Sequence, residues 1–518
     1  MLRAASVFGE RFEAGGVCAV LGTVPVGEVQ GWLATLTAKE LLTDGGDGAH
    51  RFRHALMREA AYGLLPDDDR RAGHRLAAEW LADRDDDPAP VAEHLALAGD
   101  HAEALKWFLA AAERAFERDD HAGTERMVER ARSCGGTGPY AGALESVAAV
   151  TALMAWRWDA ARTSAVAALA LCVPGSVWWN RAMRVTTTVA AYGNDLDALS
   201  AGVDLLLATA PLPGAELACG DALLYAASAA VQVGLTRFGR DLTDRADAVL
   251  RPYYPRYPGV RAWANVIRCT ILRHTTDDLG AQRALLRETL RCYGEAGATA
   301  MMTVLARDVL GEVLARAGAF AEAEATLRGA HAEALGLHIG YLASHATLAL
   351  ANVLAAFGDE ARAGEAAALA QGLLDTPRIS AGYQAMARDV LATVALVRGD
   401  AAAAEREASL AIAGSAHTPV RRWLMVAHRA EALLLLERTA EAHAAATVAL
   451  VELDDAGGGG YAERALVAAA AKAARAAEDR TTADALDARL ARWDAAQRAF
   501  LDARPDDVLA ETERPPAV

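Results

Sequence analysis

Apolar side chains recur at helical spacing through most of the chain, over residues 91–502. The pattern is clearest in the segment LGEVLARAGAFAEAEATLRGA, residues 310–330, where Gly318 separates two amphipathic stretches. Small or apolar residues form one face of each stretch: Leu310, Gly311 and Leu314, then Ala323, Leu327 and Ala330. The spacing predicts two helices that cross closely, because Gly311 and Ala323 leave room at the crossing.

This segment fits the spacing L-G-x-x-L-x-x-x-G-x-F-x-x-A-x-x-x-L-x-x-A without a gap, and it resembles the tetratricopeptide repeat. The frame recurs at Leu95, Gly99, Ala104, Phe108 and Ala111, at Leu350, Ala351, Leu354, Gly358, Ala363 and Ala370, and at Leu391, Ala392, Gly399, Ala404, Ala408 and Ala411. Weaker copies turn near Trp156, Asn194, Gly234, Asp277 and Glu437.

The repeat is longer than the ordinary tetratricopeptide period of about 34 residues. From Gly318 to Gly358 is 40 residues, and from Gly358 to Gly399 is 41. HEAT-type arrays also have periods of about 40 residues, but the Leu-Gly and Gly-x-Phe spacing favours the tetratricopeptide pattern. The sequence therefore predicts an all-α fold, a tetratricopeptide-like α-solenoid over residues 91–502.

Residues 1–82 follow a different pattern. Phe52 alternates with Arg51 and Arg53, which predicts a short strand with Phe52 facing inward. A helix and a Gly/Asp turn precede this strand, and a helical pattern follows it from Ala55. The order helix, turn, strand, helix is typical of a winged helix, here a partial one. The polar residues 83–90 are predicted to be a linker, and the charged, proline-bearing residues 503–518 a disordered tail.

Three N-terminal segments, LRAASVFGERF, FRHALMREAAY and GHRLAAEWL, resemble the winged-helix region that follows the ATPase core of STAND signal-transduction ATPases. Such regions occur in large bacterial transcriptional activators and in multidomain Ser/Thr kinases, and tetratricopeptide repeats follow them. The resemblance covers about residues 1–130. It implies that His54, with Arg58 beside it, senses the state of a nucleotide held by an upstream core. The alternative is structural, with Arg58 and Glu59 on a solvated helix face and His54 bridging the strand and the helix.

The ATPase core itself has no counterpart in this chain, so we expect the chain to be a fragment of a longer regulator. The chain contains no GxxxxGK[ST] phosphate loop, and it lacks the GxSxG, HExxH and kinase motifs. We therefore expect no enzyme activity and no cofactor. The glycine-rich stretch 456–461 is predicted to be a flexible loop. His331, His338 and His345 are spaced too far apart on one helix to share a metal ion.

The net charge of −16 disfavours nucleic-acid and membrane partners, because an acidic surface repels phosphates. The cysteines are scattered and form no CxxC pair, and no signal peptide is evident, which predicts a cytoplasmic protein with reduced thiols.

Two aromatic segments are candidates for a groove that binds a protein, a peptide or a small effector. The candidate residues are Trp178, Trp179, Arg181, Tyr253 and Tyr254. Their alternative role is packing between repeats. The sequence thus predicts a non-catalytic regulatory and interaction region, with an upstream ATPase or kinase domain in cis. The two versions are a region of a signal-transduction ATPase or transcriptional regulator, and the C-terminal regulatory region of a multidomain Ser/Thr protein kinase.

Overall fold

The computed structural model describes residues 1–502 apart from 46, 85–86, 119, 136–137, 156, 194, 277, 297–299, 338–339, 358, 377–378, 380, 416–418 and 459. The predicted tail 503–518, His338 and the predicted turn positions Trp156, Asn194, Asp277 and Gly358 therefore lie outside the described residues. The chain forms two compact units. Unit 1 comprises residues 1–151 and 163–173, and unit 2 comprises residues 152–162 and the chain from Pro174 onward.

The first elements belong to unit 1. They are α1 (Leu2–Ser6), β1 (Arg11–Glu13), α2 (Ala14–Leu21), α3 (Val26–Ala38), β2 (Leu42–Asp44), β3 (Ala49–Phe52), α4 (Ala55–Gly63), α5 (Asp67–Ala82), α6 (Pro88–Ala98), α7 (His101–Glu117) and α8 (His121–Ser133). Two further helices, α9 (Pro139–Met154) and α10 (Trp158–Leu171), have residues in both units.

The strands of unit 1 form an antiparallel sheet in the order β1-β3-β2. Phe52 is buried while Arg51 and Arg53 are exposed, so the predicted strand and its inward face are confirmed. Strands β1 and β2 were not predicted, because three residues are too few to show an alternating pattern. Their buried side chains, Phe12 and Leu42, pack with Phe52 in the core of this sheet.

Helix α4 buries a different face from the one its apolar residues suggest. Leu56, Ala60 and Leu64 share a face, yet Leu56 is 77% exposed and Leu64 69% exposed. The buried residue is Ala61, on the side that meets α1 and β3. The described part of unit 1 thus leaves an apolar strip on α4 uncovered.

The segment predicted as a linker is partly helical. Helix α6 begins at Pro88, within the expected 83–90 linker, and the Asp87 carboxylate accepts a hydrogen bond from the Ala89 amide at 3.2 Å. Proline suits the first turn of a helix, whose N–H groups have no intrahelical acceptor, and aspartate is a favoured N-cap. Residues 88–90 are therefore the first turn of α6.

The remaining helices form unit 2. They are α11 (Val177–Tyr192), α12 (Leu196–Ala208), α13 (Glu216–Gln232), α14 (Thr236–Leu250), α15 (Pro258–Thr275), α16 (Leu279–Ala296), α17 (Ala300–Arg316), α18 (Phe320–Gly336), α19 (Gly340–Ala356), α20 (Glu360–Leu374), α21 (Ala381–Val397), α22 (Ala401–Gly414), α23 (Pro419–Leu435), α24 (Thr439–Ala456), α25 (Tyr461–Ala476) and α26 (Arg480–Asp502). A 3-10 turn, Arg251–Tyr253, follows α14.

The fold is an all-α solenoid, as predicted. Each odd-numbered helix from α11 to α25 packs against the even-numbered helix that follows it, and those from α11 to α23 also pack against the next odd-numbered helix. The odd-numbered helices therefore form one continuous layer. At the crossing of α17 and α18, a Cβ on Gly311 would lie 2.4 Å from Leu327 Cγ, which confirms the predicted close approach.

Ion pairs connect equivalent positions of neighbouring repeats in unit 2. Arg328 binds Glu365, 37 residues later, while Arg362 and Arg398 reach back 38 residues to Glu324 and Glu360. Exposed pairs of this kind contribute little free energy individually, about 0–1 kcal/mol. Their spacing matches the period of about 40 residues.

The layer of odd-numbered helices returns on itself at its far end. Helix α23 contacts α13, α25 contacts α15, and α26 contacts α16. Unit 2 therefore closes around the space between its odd-numbered helices. Within the described residues, no single helix is both long and apolar enough to span a membrane; α2 and α3 meet the length and composition test only together, and they are bent by 119°.

Candidate functional site

The closure of unit 2 leaves a cavity of about 410 Å³ between the odd-numbered helices α15 to α25. Basic side chains outnumber acidic ones in its lining. The ionisable lining residues are Arg273, Arg316, Arg421 and Arg464, with Glu312, Asp389 and His428. Asn352 and Thr393 add uncharged polar groups, and Phe320, Leu424, Met425 and Tyr461 are among the apolar and aromatic walls. Cavities of about 300–1,000 Å³ are typical of small-molecule sites.

One end of the cavity is basic and aromatic. Tyr461, the first residue of α25, lies near two guanidinium groups, with the Arg273 Cζ 5.9 Å and the Arg316 Cζ 5.8 Å from the ring centroid. Arg273 is only 5% exposed and pairs with the Glu312 carboxylate. Arg316 donates to the Gln282 side-chain oxygen at 2.5 Å. These contacts orient both guanidinium groups at the cavity wall.

At this basic end of the cavity, burial and the neighbouring positive charges disfavour the charged forms of Arg273 and His274. Burial, together with the positive charges of Arg421 and Arg316, lowers the pKa of Arg273 to about 9. Burial and the same arginine cluster hold the pKa of the adjacent His274 well below its ordinary value. His274 is therefore neutral near pH 7.

The other end of the cavity contains a histidine–aspartate pair. His428 Nδ1 and Asp389 Oδ1 lie 2.8 Å apart. Although burial opposes the charged imidazole, the charge and hydrogen bond of Asp389 raise the pKa of His428. Thr393 Oγ1 lies 3.5 Å from the same ring nitrogen. This end offers donors and acceptors to a polar ligand.

The described glycines of the glycine-rich stretch lie between α24 and α25. Gly457, Gly458 and Gly460 all have positive φ, and a Cβ on Gly460 would lie 1.9 Å from the Arg273 carbonyl oxygen. A Cβ on Gly458 would lie 3.2 Å from the Thr275 carbonyl oxygen. The prediction of a loop between two helices is confirmed, but Gly458 and Gly460 pack on the end of α15 instead of projecting freely.

The residues predicted from sequence as groove candidates do not line this cavity. Trp179 is buried in unit 2, while Trp178 stacks on the Arg181 guanidinium at 4.7 Å. The Tyr254 hydroxyl donates to Asp247 at 3.1 Å and accepts from Arg268 at 3.1 Å, and Tyr253 bonds to Glu216. A partner role for these five side chains stays a prediction.

The nucleotide-sensor candidates lie at the start of α4. His54 is the exposed N-cap residue of that helix, and Arg58, half-buried, has Glu59 3.8 Å away. The role of His54 and Arg58 also stays a prediction. In α19, the Nδ1 atom of His345 lies 3.1 Å from the Oδ2 atom of Asp308. The described residues contain no group of three or more His, Cys, Asp or Glu side chains suited to a metal ion.

A second cavity, of about 730 Å³, lies in unit 1 beside α5 and α7. The arginine in its lining, Arg75, is already paired, because it makes a two-point contact with Asp100 at 2.6 and 2.8 Å. The cavity in unit 2 was not predicted. Its lining comes from seven helices between residues 273 and 464, and no single motif contains enough of it to be recognised.

Comparison with known proteins adds only distant likenesses. No family model matches the chain, and no curated protein matches it. A STAND protein with a tetratricopeptide repeat sensor from Pyrococcus horikoshii is similar over 87% of this chain, at 12% identity and a TM-score of 0.42. This chain spans 62% of the length of that structure.

Two further solved structures are similar over most of the chain. The APC/C hetero-tetramer Cut9–Hcn1 has 11% identity and a TM-score of 0.29, with 96% of this chain and 97% of that chain covered. Naa15/Naa10 bound to HypK has 14% identity and a TM-score of 0.20, with 89% and 78% covered. Identities and TM-scores this low do not establish a shared function.

Proposed function

We propose that this chain is the non-catalytic regulatory region of a bacterial signal-transduction ATPase or transcriptional regulator, and that its unit 2 cavity receives the effector. The cavity is the observation that carries this proposal. A volume of about 410 Å³ lined by arginine, aromatic and amide side chains is suited to recognition. Solenoids commonly use their concave surfaces for binding, with the chemistry located elsewhere.

The arrangement of unit 1 supports a relay role for the N-terminal part. Its elements follow the order helix, strand, helix, helix, strand, strand, with the sheet order β1-β3-β2. This order supports the proposal of a winged helix, the module that the N-terminal segments resemble. The exposed strip of Leu56, Ala60 and Leu64 on α4 adds an uncovered apolar surface beside His54.

The parent protein can be identified by reading the genomic DNA 5′ of the Met1 codon. The proposal expects an in-frame phosphate-loop ATPase domain there. A kinase domain beyond it would select the alternative, the regulatory region of a multidomain Ser/Thr kinase. An upstream sequence that encodes neither domain would contradict both versions.

His54 is the proposed sensor of nucleotide state in such a parent. The free N–H groups and the dipole at a helix N-terminus favour a nearby phosphate, and His54 lies at the start of α4. His54→Leu in the parent is expected to speed ADP release and to increase the active population. His101→Leu, at another exposed helix start in unit 1, is the matched control. Equal rates of ADP release from both variants would indicate that His54 has a structural role instead.

The role of the cavity can be tested by blocking it. Asn352→Trp places an indole in the lining of α19, whereas Ala325→Trp places one on the exposed side of α18. In the parent, the cavity variant is expected to abolish the response of ATP hydrolysis to effector, and the control is expected to retain it. An unchanged response in Asn352→Trp would locate the effector site elsewhere.

A further inference from the structure

The cavity in unit 2 contains more positive charge than its own carboxylates neutralise. Four arginines line it against two acidic residues. Glu312 is committed to Arg273, and Asp389 is committed to His428. Arg464 binds Asp494, which lies outside the cavity lining. The surplus charge therefore collects around Arg421.

Arg421 lacks a counter-ion in the part of the chain that the structure describes. It is half-buried in α23, and no carboxylate among the described residues forms an ion pair with it. The buried Arg273 Nε likewise has no hydrogen-bond acceptor among the described atoms. A buried donor without an acceptor costs about 1–3 kcal/mol. Two guanidinium groups thus have unused donors at the same end of one cavity.

Mutual repulsion within this cluster supports the same conclusion. The pKa of Arg273 is lowered by burial and then by Arg421, and the pKa of His274 is lowered by burial and then by Arg273 and Arg421. An anion between these arginines would reverse the repulsion and supply the missing acceptors. The cavity is locally positive although the chain carries a net charge of −16, which repels anions from the surface as a whole.

We propose that the cavity binds a small molecule that carries a carboxylate or phosphate group, which Arg273, Arg316 and Arg421 hold. This proposal deepens the proposed function, on which it rests, by naming the chemical class of the effector. Tyr461 and Phe320 provide apolar contact for the body of the ligand. Asn352, Thr393 and His428 offer hydrogen bonds to its polar groups. The cavity volume of about 410 Å³ favours a small molecule over a folded protein.

Isothermal titration of the full chain tests the proposal, with pyrophosphate and citrate as probes and with sodium chloride holding the ionic strength constant. The two probes distinguish a phosphate group from a carboxylate. Binding to one site is expected for at least one of them. Arg421→Gln is expected to weaken that binding at least tenfold. Arg245→Gln, which removes an exposed arginine on α14, is expected to leave it unchanged.

Thermal unfolding without added anion provides a second readout. Arg421→Gln removes a repelling charge, so its melting temperature is expected to equal or exceed that of the wild type, which would also show that the variant folds. If this variant fails to fold, hydrogen exchange of the wild type decides, with protection by the probe expected in α15, α17 and α23. No binding of either probe to the wild type, or equal binding to Arg421→Gln, would overturn the proposal. Either result would leave the upstream DNA test of the proposed function unaffected.

Discussion

Gly460 and the carbonyl oxygen of Arg273 are in such close contact that a Cβ at position 460 would lie 1.9 Å from that oxygen. The two residues are 187 positions apart in the sequence, at the start of α25 and near the end of α15. The contact also requires an unusual backbone, with φ of +55° and ψ of −125° at Gly460. Glycine is therefore required for both the conformation and the approach.

Gly460→Ala is expected to weaken the closure of unit 2. The backbone conformation alone costs about 1–3 kcal/mol for a residue with a side chain, and the steric contact adds to it. Hydrogen exchange is expected to increase at the end of α15 and the start of α25. Gly329→Ala, at an open position in α18, is the control and should stabilise its helix by about 1 kcal/mol. Equal exchange in both variants would mean that the glycine contact does not hold unit 2 closed.

Gly311→Leu tests the packing of a single repeat. A Cβ at position 311 would already lie 2.4 Å from Leu327 Cγ, so a larger side chain must push α17 and α18 apart. We expect a loss of about 1–3 kcal/mol in unfolding free energy, with loosening that decreases with distance from this repeat. Gly372→Leu, with open space around it in α20, controls for the substitution itself. Uniform loosening across unit 2 would contradict the nearest-neighbour account of the solenoid.

Much of the solenoid is predictable because each repeat carries its own signal. Gly311 and Leu327 lie in one motif, so their contact follows from local spacing. The cavity is different, since Arg273 and Arg421 become neighbours only when the far end of unit 2 packs on α15. Periodicity within a repeat contains no information about that closure. The predicted aromatic candidates, such as Trp178, stood out as unusual residues, whereas the arginines that line the cavity resemble ordinary helix-surface residues.

The N-terminal unit shows a second limit of sequence patterns. The strand at Phe52 was predictable from its alternation, but β1 and β2 acquire their strand conformation by pairing with it. The apolar face of Leu56 and Leu64 was equally clear from the sequence. Its exposure depends on what α4 packs against, and helical spacing alone does not specify that.

A buried histidine pair is expected to make unit 1 sensitive to acid. His74 Nδ1 and His94 Nδ1 lie 2.8 Å apart, and His74 Nε2 lies 2.8 Å from the Tyr62 hydroxyl. Burial lowers the pKa of both histidines to about 4, against about 6.5 in an unfolded chain. The unfolded chain therefore binds more protons in this window. Stability is full above about pH 6.5 and falls as the pH decreases towards 4, by about 1.4 kcal/mol per pH unit for each histidine.

Hydrogen exchange in α5 and α6, corrected for the intrinsic pH dependence of exchange, measures this effect. Protection is expected to fall between pH 6.5 and 4.5 in the wild type. The double variant His74→Gln, His94→Gln retains side chains that can hydrogen-bond but cannot titrate, so its protection should change little. The same pH dependence in both proteins would assign the acid sensitivity to other groups.

The closure of unit 2 is the claim on which the cavity and its proposed ligand depend, and a distance between spin labels tests it most directly. Asp241 on α14 and Asp455 on α24 are exposed and lie near the contact of Gly457 with Arg237. Both are replaced by cysteine and labelled in a chain that also carries Cys18→Ala and Cys134→Ser, since the other native cysteines are buried. Double electron–electron resonance should then give a single short, narrow distance distribution. A long or broad distribution, as expected for an open superhelix, would contradict the closed solenoid and the cavity within it.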